Sequence, residues 1–313
     1  MFTTVSYMDR IRQSRILITG AGGCIGSKVV GAVLRRGATV TALVAQPGQH
    51  AHVFDSTSLE NVVADINDAA VLEDLTKGID IVVHMAGPPS VAASFDDPAV
   101  FARTHVAGTA TVLNACRNAG VRRFVYVSSA EVYGRPQTAP VSEDHPLVPR
   151  SPYGAAKAGA EHFVRVFATN FGISSVILRP LSLYGPGSSL QTVVGTILRM
   201  AQFENAVVLN DLTPVRDYCF VEDVADAVLR ACFAPVDGLA AINVGSGTGL
   251  SVGEFAKVVL RVLGRNIPVR EGGDARRPRT AEIHTLIADR SRASRILDWE
   301  PATSLESGIR RCI

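Results

Sequence analysis

Short apolar runs alternate with longer amphipathic segments along most of the chain. Runs rich in β-branched residues predict strands at RILITG, TVTALVA, IDIVVHMAG, RRFVYVSS and ISSVILRP. Apolar positions at helical spacing predict helices at IGSKVVGAVLRRG, AAVLEDLTKG, PAVFARTHVAGTATVLNACRNAG and YGAAKAGAEHFVRVFATNFG, each of which ends at a glycine. This β–α alternation predicts an α/β fold built on a doubly wound parallel sheet.

After Pro180 the alternation becomes less regular. A turn-rich segment, LSLYGPGSSLQTV, precedes a further strand-and-helix pattern at VRDYCFVEDVADAVLRACF. We therefore predict a main domain from residues 12–181 plus 217–249, and a smaller lobe from residues 182–216 and 250–313. In doubly wound sheets, ligands bind outside the carboxyl ends of the strands, so polar residues at strand ends are the first candidates for a site.

Composition and charge narrow the classes of function. The 313 residues are 47% apolar and 19% charged, with a formal net charge of +2 and no long basic block, which does not favour nucleic acid as a partner. The N-terminal segment carries charges where a secretory signal needs an apolar run, and no run reaches the ~18 apolar residues of a membrane span. The five cysteines form neither a CxxC pair nor a Cys/His cluster, so we expect free thiols, no metal site and a cytoplasmic location.

A glycine-rich turn follows the first predicted strand and opens the first predicted helix. In ITGAGGCIGSKVV, Gly20, Gly23 and Gly26 allow a tight turn and a close approach of the backbone to a pyrophosphate. The N-terminus of the helix adds free N–H groups and a partial positive charge. We therefore predict a dinucleotide site. The next strand ends in LVAQ, which has neither the acid that binds the ribose of NAD nor an arginine for the extra phosphate of NADP. This position therefore does not indicate whether the cofactor is NAD or NADP.

Two further segments carry groups that can transfer protons. The strand in YVSSAEVYGR runs into Ser129 and Glu131, with Ala130 between them. In SPYGAAKAG, Tyr153 and Lys157 are four residues apart and share one face of the predicted helix. Because a tyrosine has a pKa near ~10, we expect a neighbouring ammonium and a nicotinamide cation to stabilise the phenolate and lower that pKa.

The segments TGAGGCIG, SSAEVYG, SPYGAAKAGAE, LRPLSLYGPG and RDYCFVEDVADA together resemble the extended short-chain dehydrogenases, and more narrowly the nucleotide-sugar epimerase/dehydratase group. The resemblance extends from about Arg15 to Ile309. It implies a Rossmann-type sheet with a smaller, mostly C-terminal substrate-binding lobe, NAD as cofactor with NADP as the alternative, and a nucleotide-diphosphate sugar as substrate. It also implies a homodimer formed through the helices that contain Phe101–Ala119 and Tyr153–Phe171.

The resemblance also implies roles for individual residues. Ser129, Tyr153 and Lys157 would be catalytic, together with Glu131 in reactions that remove a proton from a sugar carbon. The cofactor would be bound by Gly20, Gly23, Cys24, Ile25, Gly26, Asp65, Ile66, Met85, Ala86, Gly87, Tyr153 and Lys157, with Asp65 and Ile66 at the adenine. The substrate would be bound by Ser182, Arg216, Arg276 and Arg277, because the planar guanidinium of arginine meets phosphate oxygens in pairs.

Ala130 decides which reaction is favoured. The resembling dehydratases carry an Asp–Glu pair here, in which the Asp protonates the leaving hydroxyl, and alanine cannot do so. We therefore expect a C4 epimerase, in which Tyr153 takes the C4 hydroxyl proton, a 4-keto sugar rotates in the room left by Ala130, and the hydride returns to its other face. A dehydratase or decarboxylase that uses Glu131, an NAD(P)H-dependent ketosugar reductase, and a non-catalytic cofactor-sensing protein are the alternatives. For His105, where the family often has Asn, a packed core residue and a functional residue are both consistent with the sequence.

Overall fold

The computed structural model describes residues 7–46, 57–272 and 277–312. Its strands, in chain order, are β1 (Arg15–Thr19), β2 (Thr39–Val44), β3 (Leu59–Val63), β4 (Ile81–His84), β5 (Arg123–Val127), β6 (Ser174–Pro180), β7 (Ser182–Tyr184), β8 (Val207–Leu209), β9 (Val215–Phe220), β10 (Leu239–Val244), β11 (Gly249–Ser251), β12 (Val269–Glu271) and β13 (Thr285–Leu286).

The α-helices, in chain order, are α1 (Tyr7–Arg12), α2 (Cys24–Leu34), α3 (Ala69–Leu75), α4 (Ala93–Asp96), α5 (Pro98–Phe101), α6 (Gly108–Ala119), α7 (Pro152–Phe171), α8 (Val193–Phe203), α9 (Val221–Phe233), α10 (Val252–Leu263), α11 (Ser291–Leu297) and α12 (Leu305–Arg310). A π-helical segment, Ala102–Ala107, joins α5 to α6 and so interrupts the single helix that the sequence predicts there. Within the described ranges, no helix is both long and apolar enough to cross a membrane.

The main sheet has seven parallel strands in the order β10-β6-β5-β4-β1-β2-β3. From β1 the chain proceeds to β2 and β3 on one side, and then returns to the other side of β1 to form β4. The strand order therefore reverses between β1 and β4, and a crevice opens there at the carboxyl ends of the strands. This topology confirms the Rossmann-type α/β fold.

Helices cover both faces of the main sheet, as a fully parallel sheet requires. On one face, α2, α9 and α11 bury a core that includes Val29, Val228 and Trp299. On the other face, α3, α6 and α7 bury residues such as Leu72, Val112 and Val164. Both layers hold the strand ends in fixed positions, so the crevice is built on a rigid base.

A smaller lobe stands next to the carboxyl ends of the main strands. In it, β9 pairs with β11, β13 and β7, β8 pairs with β12, and α8 and α10 pack on a separate apolar core. Of the segment predicted to return to the main domain, β10 joins the main sheet, whereas β9 pairs within the lobe. The limits of 12–181 with 217–249, and of 182–216 with 250–313, stay a prediction.

Candidate active site

A cavity of about 570 Å³ lies between the crevice of the main sheet and the smaller lobe. It collects predicted site residues from opposite ends of the chain. Those that line it are Gly20, Gly23, Cys24, Ile25, Gly26, Met85, Gly87, Ser129, Glu131, Tyr153, Lys157, Ser182, Arg216 and Arg277. Arg276 lies outside the described residues, and its assignment to the substrate stays a prediction.

The glycine turn forms the cofactor end of this cavity. Gly20 has φ +69°, and a Cβ on Gly26 would come 2.2 Å from the carbonyl oxygen of Gly20, so both positions need glycine. Helix α2 begins after Gly23, which provides no side-chain cap, so the first N–H groups of the helix are not capped by that residue. An uncapped helix N-terminus behind a tight turn at the cavity wall fits the pyrophosphate of a dinucleotide.

Three residues predicted to bind the cofactor are not among the described residues that line the cavity: Asp65, Ile66 and Ala86. Asp65 Oδ1 accepts hydrogen bonds from Asn67 N and Asn67 Nδ2, both at 2.9 Å. Ile66 is buried and its side chain packs against Gly108, where an added Cβ would come 2.5 Å from Ile66 Cδ1. Asp65 and Ile66 follow β3 at the carboxyl edge of the sheet, and all three assignments stay predictions.

Tyr153 stands in the first turn of α7, where Ser151 fixes the helix start by accepting a hydrogen bond from Gly154 N at 3.1 Å. Burial raises the pKa of Tyr153 to about 12; a hydrogen bond with Ser129 lowers the pKa and the charge of Glu131 raises it. The lowered tyrosine pKa expected from the sequence is therefore not produced by the residues of this chain alone. The bond with Ser129 lowers this pKa because the serine hydroxyl can donate to the phenolate oxygen and stabilise it.

Lys157 lies one helical turn after Tyr153, with its ammonium pointing under the end of β5. Lys157 Nζ donates a hydrogen bond to the carbonyl oxygen of Val127 at 2.8 Å and lies 5.0 Å from the ring centroid of Tyr126. Burial lowers the pKa of Lys157 to about 7, and Glu161 opposes that shift. Burial and the charge of Glu161 therefore act on the pKa of Lys157 in opposite directions.

Glu131 is held by an ion pair that the sequence does not indicate. Its two oxygens accept hydrogen bonds from Arg277 Nη1 at 3.3 Å and from Arg277 Nη2 at 3.2 Å. Ala130, in contrast, is buried among apolar side chains such as Val132 and Leu181 and is not among the described residues that line the cavity. The expectation that Ala130 leaves room for a rotating sugar is therefore not supported by its position.

Glu282 joins Arg277 to Arg216, the residue predicted to bind the substrate phosphates, through a second ion pair. Arg216 Nη2 donates to Glu282 Oε1 at 2.6 Å, and Glu282 Oε2 lies 3.7 Å from Arg277 Nε. The surface ion pair of Arg216 with Asp217, the alternative suggested by their adjacency, does not form. Asp217 is buried and accepts from the backbone N–H groups of Ser246, Gly247 and Ala288.

The sequence does not single out Glu282, and for His105 it is consistent with both a packed core residue and a functional one. Glu282 lines the cavity between two arginines, but a lone glutamate in a loop gives no signal in a single sequence. His105 lies in the π-helical segment with its ring edge-on to Tyr153, at a centroid distance of 5.6 Å. His105 Nε2 is 3.1 Å from the carbonyl oxygen of Pro88, and burial holds the pKa of His105 well below its usual value, so the ring is a neutral, packed wall of the cavity.

Comparisons with known proteins agree with this geometry. A UDP-glucose 4-epimerase from Mycolicibacterium smegmatis is 33% identical, over 96% of this chain and 97% of that protein. The structure of MoeE5 in complex with UDP-glucuronic acid and NAD superposes with a TM-score of 0.86 at 31% identity, over 95% of this chain and 97% of MoeE5. DesIV, a dTDP-glucose 4,6-dehydratase from Streptomyces venezuelae with NAD and TYD bound, superposes with a TM-score of 0.87 at 29% identity, over 95% of each chain.

The family model of the NAD dependent epimerases and dehydratases matches residues 16–245, which include the glycine turn, the Ser129 strand end and the Tyr153–Lys157 helix. The matched span therefore contains residues that line the cavity as well as strands of the main sheet. The chain belongs to the NAD-dependent epimerase/dehydratase family.

Proposed function

We propose that this protein is a nucleotide-sugar 4-epimerase that keeps NAD bound through the reaction. The observation that carries the proposal is the meeting of Ser129, Tyr153 and Lys157 in one cavity with the glycine turn. A C4 epimerase needs one group that exchanges a proton with the sugar hydroxyl, and Tyr153 supplies it. The UDP-glucose 4-epimerases among the relatives support this choice.

Different residues along the cavity would bind different parts of the cofactor. The N–H groups of the glycine turn would hold the cofactor pyrophosphate, and Met85 and Gly87 would line the path toward Tyr153. When bound, NAD supplies a hydride acceptor that can also give the hydride back. Lys157, fixed by Val127, would hold the nicotinamide ribose and place its positive charge next to Tyr153.

Tyr153 is the group that moves the proton. Burial raises the pKa of Tyr153, and the positive charge of a bound nicotinamide would oppose that shift. Ser129 shares a hydrogen bond with Tyr153 and would orient the sugar hydroxyl toward it. Loss of the C4 hydroxyl proton to Tyr153, together with loss of the C4 hydride to a bound nicotinamide, would give a 4-keto sugar. Return of the hydride to the opposite face of C4, and of the proton to the oxygen, would complete the inversion.

Dehydration is the second candidate function, and the structural similarity to the dehydratase DesIV supports it. It requires a base that removes a proton from a sugar carbon, and Glu131 is the nearest carboxylate to Tyr153 that the sequence suggested. Glu131 is paired with both terminal nitrogens of Arg277, and Ala130 cannot protonate a leaving hydroxyl. Both observations favour epimerisation over loss of water.

Protein purified without added nucleotide is expected to release NAD on denaturation and to convert UDP-glucose to UDP-galactose with no added cofactor. The physical reason is that a cofactor that returns its hydride in every turnover does not need to leave. HPLC of the released nucleotide and NMR of the sugar product give the answer. A 4-keto-6-deoxy sugar as the product would replace the epimerase with a dehydratase, and net consumption of NADPH would replace it with a reductase.

We further propose a homodimer that forms through α6 and α7. In its support, α7 exposes three large apolar side chains along one stretch: Phe163 (39% exposed), Val166 (51%) and Phe171 (42%).

We also propose a cytoplasmic location, supported by Cys116, Cys219 and Cys232, which are buried as free thiols.

Val166→Asp is expected to convert the dimer to a monomer, because it puts a charge into an apolar interface. Sedimentation at micromolar concentration measures the change. Val208→Asp serves as the matched control, because Val208 is 38% exposed on β8 of the smaller lobe and lies outside the proposed interface. A monomeric wild-type protein, or equal dissociation of both variants, would contradict the assignment.

A further inference from the structure

Arg277 has almost no capacity left to bind an anionic ligand. A guanidinium has five N–H donors. Arg277 Nε and one N–H of Nη2 donate to the carbonyl oxygen of Ala281 at 3.1 and 2.7 Å, and a second N–H of Nη2 and one of Nη1 donate to Glu131. Four of its five donors are therefore used within the described residues. Arg277 acts as the partner that positions Glu131 rather than as a ready phosphate clamp.

Arg216 differs from Arg277 in this respect. It donates from Nη1 to the carbonyl oxygen of Val215 at 3.0 Å and from Nη2 to Glu282 at 2.6 Å. Two of its five donors are used in the described part of the chain, and three remain for a ligand. Of the two arginines that line the cavity, Arg216 is thus the one prepared for a substrate diphosphate.

Within the described residues, Glu131 forms its ion pair with Arg277 alone, at 3.2 Å. Glu282 pairs more closely with Arg216, at 2.6 Å, than with Arg277, at 3.7 Å. Lys157, one helical turn from Tyr153, is buried and donates to the carbonyl oxygen of Val127. A ligand carboxylate that enters beside Glu131 would find four of the five donors of Arg277 already used, so Arg277 would not offset the repulsion between the two carboxylates.

From this arrangement we infer that Glu131, held by Arg277, selects sugars with a neutral hydroxymethyl group at C5 and rejects hexuronates. The inference rests on the proposed function, because Tyr153 then faces the C4 hydroxyl. Glu131 lines the same cavity as Tyr153 and its charge acts on Tyr153, so we place the C5 substituent, the next group along the ring, beside Glu131. A hydroxyl can donate to the Glu131 carboxylate, whereas a uronate carboxylate can only repel it or displace it from Arg277.

The test compares matched substrate pairs that differ only at C6: UDP-glucose with UDP-glucuronate, and dTDP-glucose with dTDP-glucuronate. For the wild-type protein, kcat/KM for C4 inversion is expected to be at least about tenfold higher for the neutral sugar of a pair, the effect of a like charge at close range. The ratio within one pair is independent of how well the nucleotide itself binds.

Glu131→Gln is expected to move this ratio toward the uronate by about tenfold or more, because Arg277 then has donors free for the incoming carboxylate. A role in folding alone would lower both rates together and leave the ratio unchanged. Asp211→Asn is the charge-matched control: Asp211 lines the same cavity but binds Thr213, and its removal is expected to leave the ratio unchanged.

The outcomes separate the two proposals. Wild-type protein that inverts the uronate as fast as the neutral sugar overturns the selection by Glu131 and leaves the epimerase in place. A ratio that Glu131→Gln does not move, or that Asp211→Asn moves equally, overturns it as well. If no member of either pair is inverted at C4, the proposed function fails and the selectivity that rests on it fails too.

Discussion

Tyr153→Phe is expected to lower kcat by about 10²- to 10⁴-fold, the range typical for loss of a general acid–base group. The substitution removes one oxygen atom and keeps the ring, which packs edge-on against Phe101 at 6.2 Å and against His105 at 5.6 Å. The variant should therefore fold normally and still release NAD on denaturation. Steady-state kinetics with UDP-glucose, together with the NAD content, separate lost chemistry from lost binding.

Tyr218→Phe provides the control for this experiment. Tyr218 is also a buried tyrosine, and its hydroxyl has no hydrogen-bond partner within the described part of the chain. It stacks on Phe255 in the smaller lobe and is not one of the described cavity residues. Tyr218→Phe also removes one hydroxyl oxygen and is expected to leave kcat unchanged. A Tyr153→Phe protein with wild-type kcat, or an equal loss in both variants, would remove Tyr153 from the catalytic role.

The features that the sequence predicts well are those encoded within a few neighbouring residues. Gly20 and Gly26 belong to one turn, and their need for glycine follows from that turn alone. Tyr153 and Lys157 share a helix face because of their spacing, and α7 forms where the pattern predicts it. The parallel sheet follows from the alternation of apolar strands with amphipathic helices.

The features that the sequence does not predict depend on contacts between distant positions. Glu131 and Arg277 are 146 residues apart in the chain, and nothing local to either indicates the partner. Ala130 turns into an apolar core instead of the cavity because the short 3₁₀ helix Ala130–Tyr133 rotates it there. The raised pKa of Tyr153 has the same origin, because burial is a property of the assembled fold.

The second large effect is expected on stability and comes from a buried charge pair beneath α7. Arg179 Nε and Nη2 donate to the two oxygens of Glu161 at 2.9 and 2.6 Å, and both residues are fully buried. Arg179 Nη1 also donates to Tyr133 Oη at 2.8 Å and to the carbonyl oxygen of Glu143 at 3.1 Å. Glu161 lies one turn beyond Lys157 on α7, so this pair connects α7 to β6.

Arg179→Met is expected to lower the free energy of unfolding by about 3–5 kcal/mol, because it leaves the Glu161 carboxylate buried without its partner. Arg165, 3.7 Å from Glu161, is too far for a close hydrogen bond and too exposed to replace Arg179. Chemical denaturation at a fixed protein concentration measures the change. Arg122→Met is the control, because its ion pair with Asp80 lies at the surface, where such a pair contributes about 0–1 kcal/mol.

The double variant Glu161→Met with Arg179→Met decides whether the loss comes from the unpaired charge. With both charges removed, two apolar side chains of similar volume fill the space, and most of the lost stability is expected to return. Tyr133 keeps a partner, since its hydroxyl donates to Asn243 Oδ1 at 2.7 Å. Glu161 also raises the pKa of Lys157, so in the double variant that pKa should fall further below its present value of about 7. A double variant as unstable as Arg179→Met would show that packing around Arg179, and not the buried charge of Glu161, determines the stability of this region.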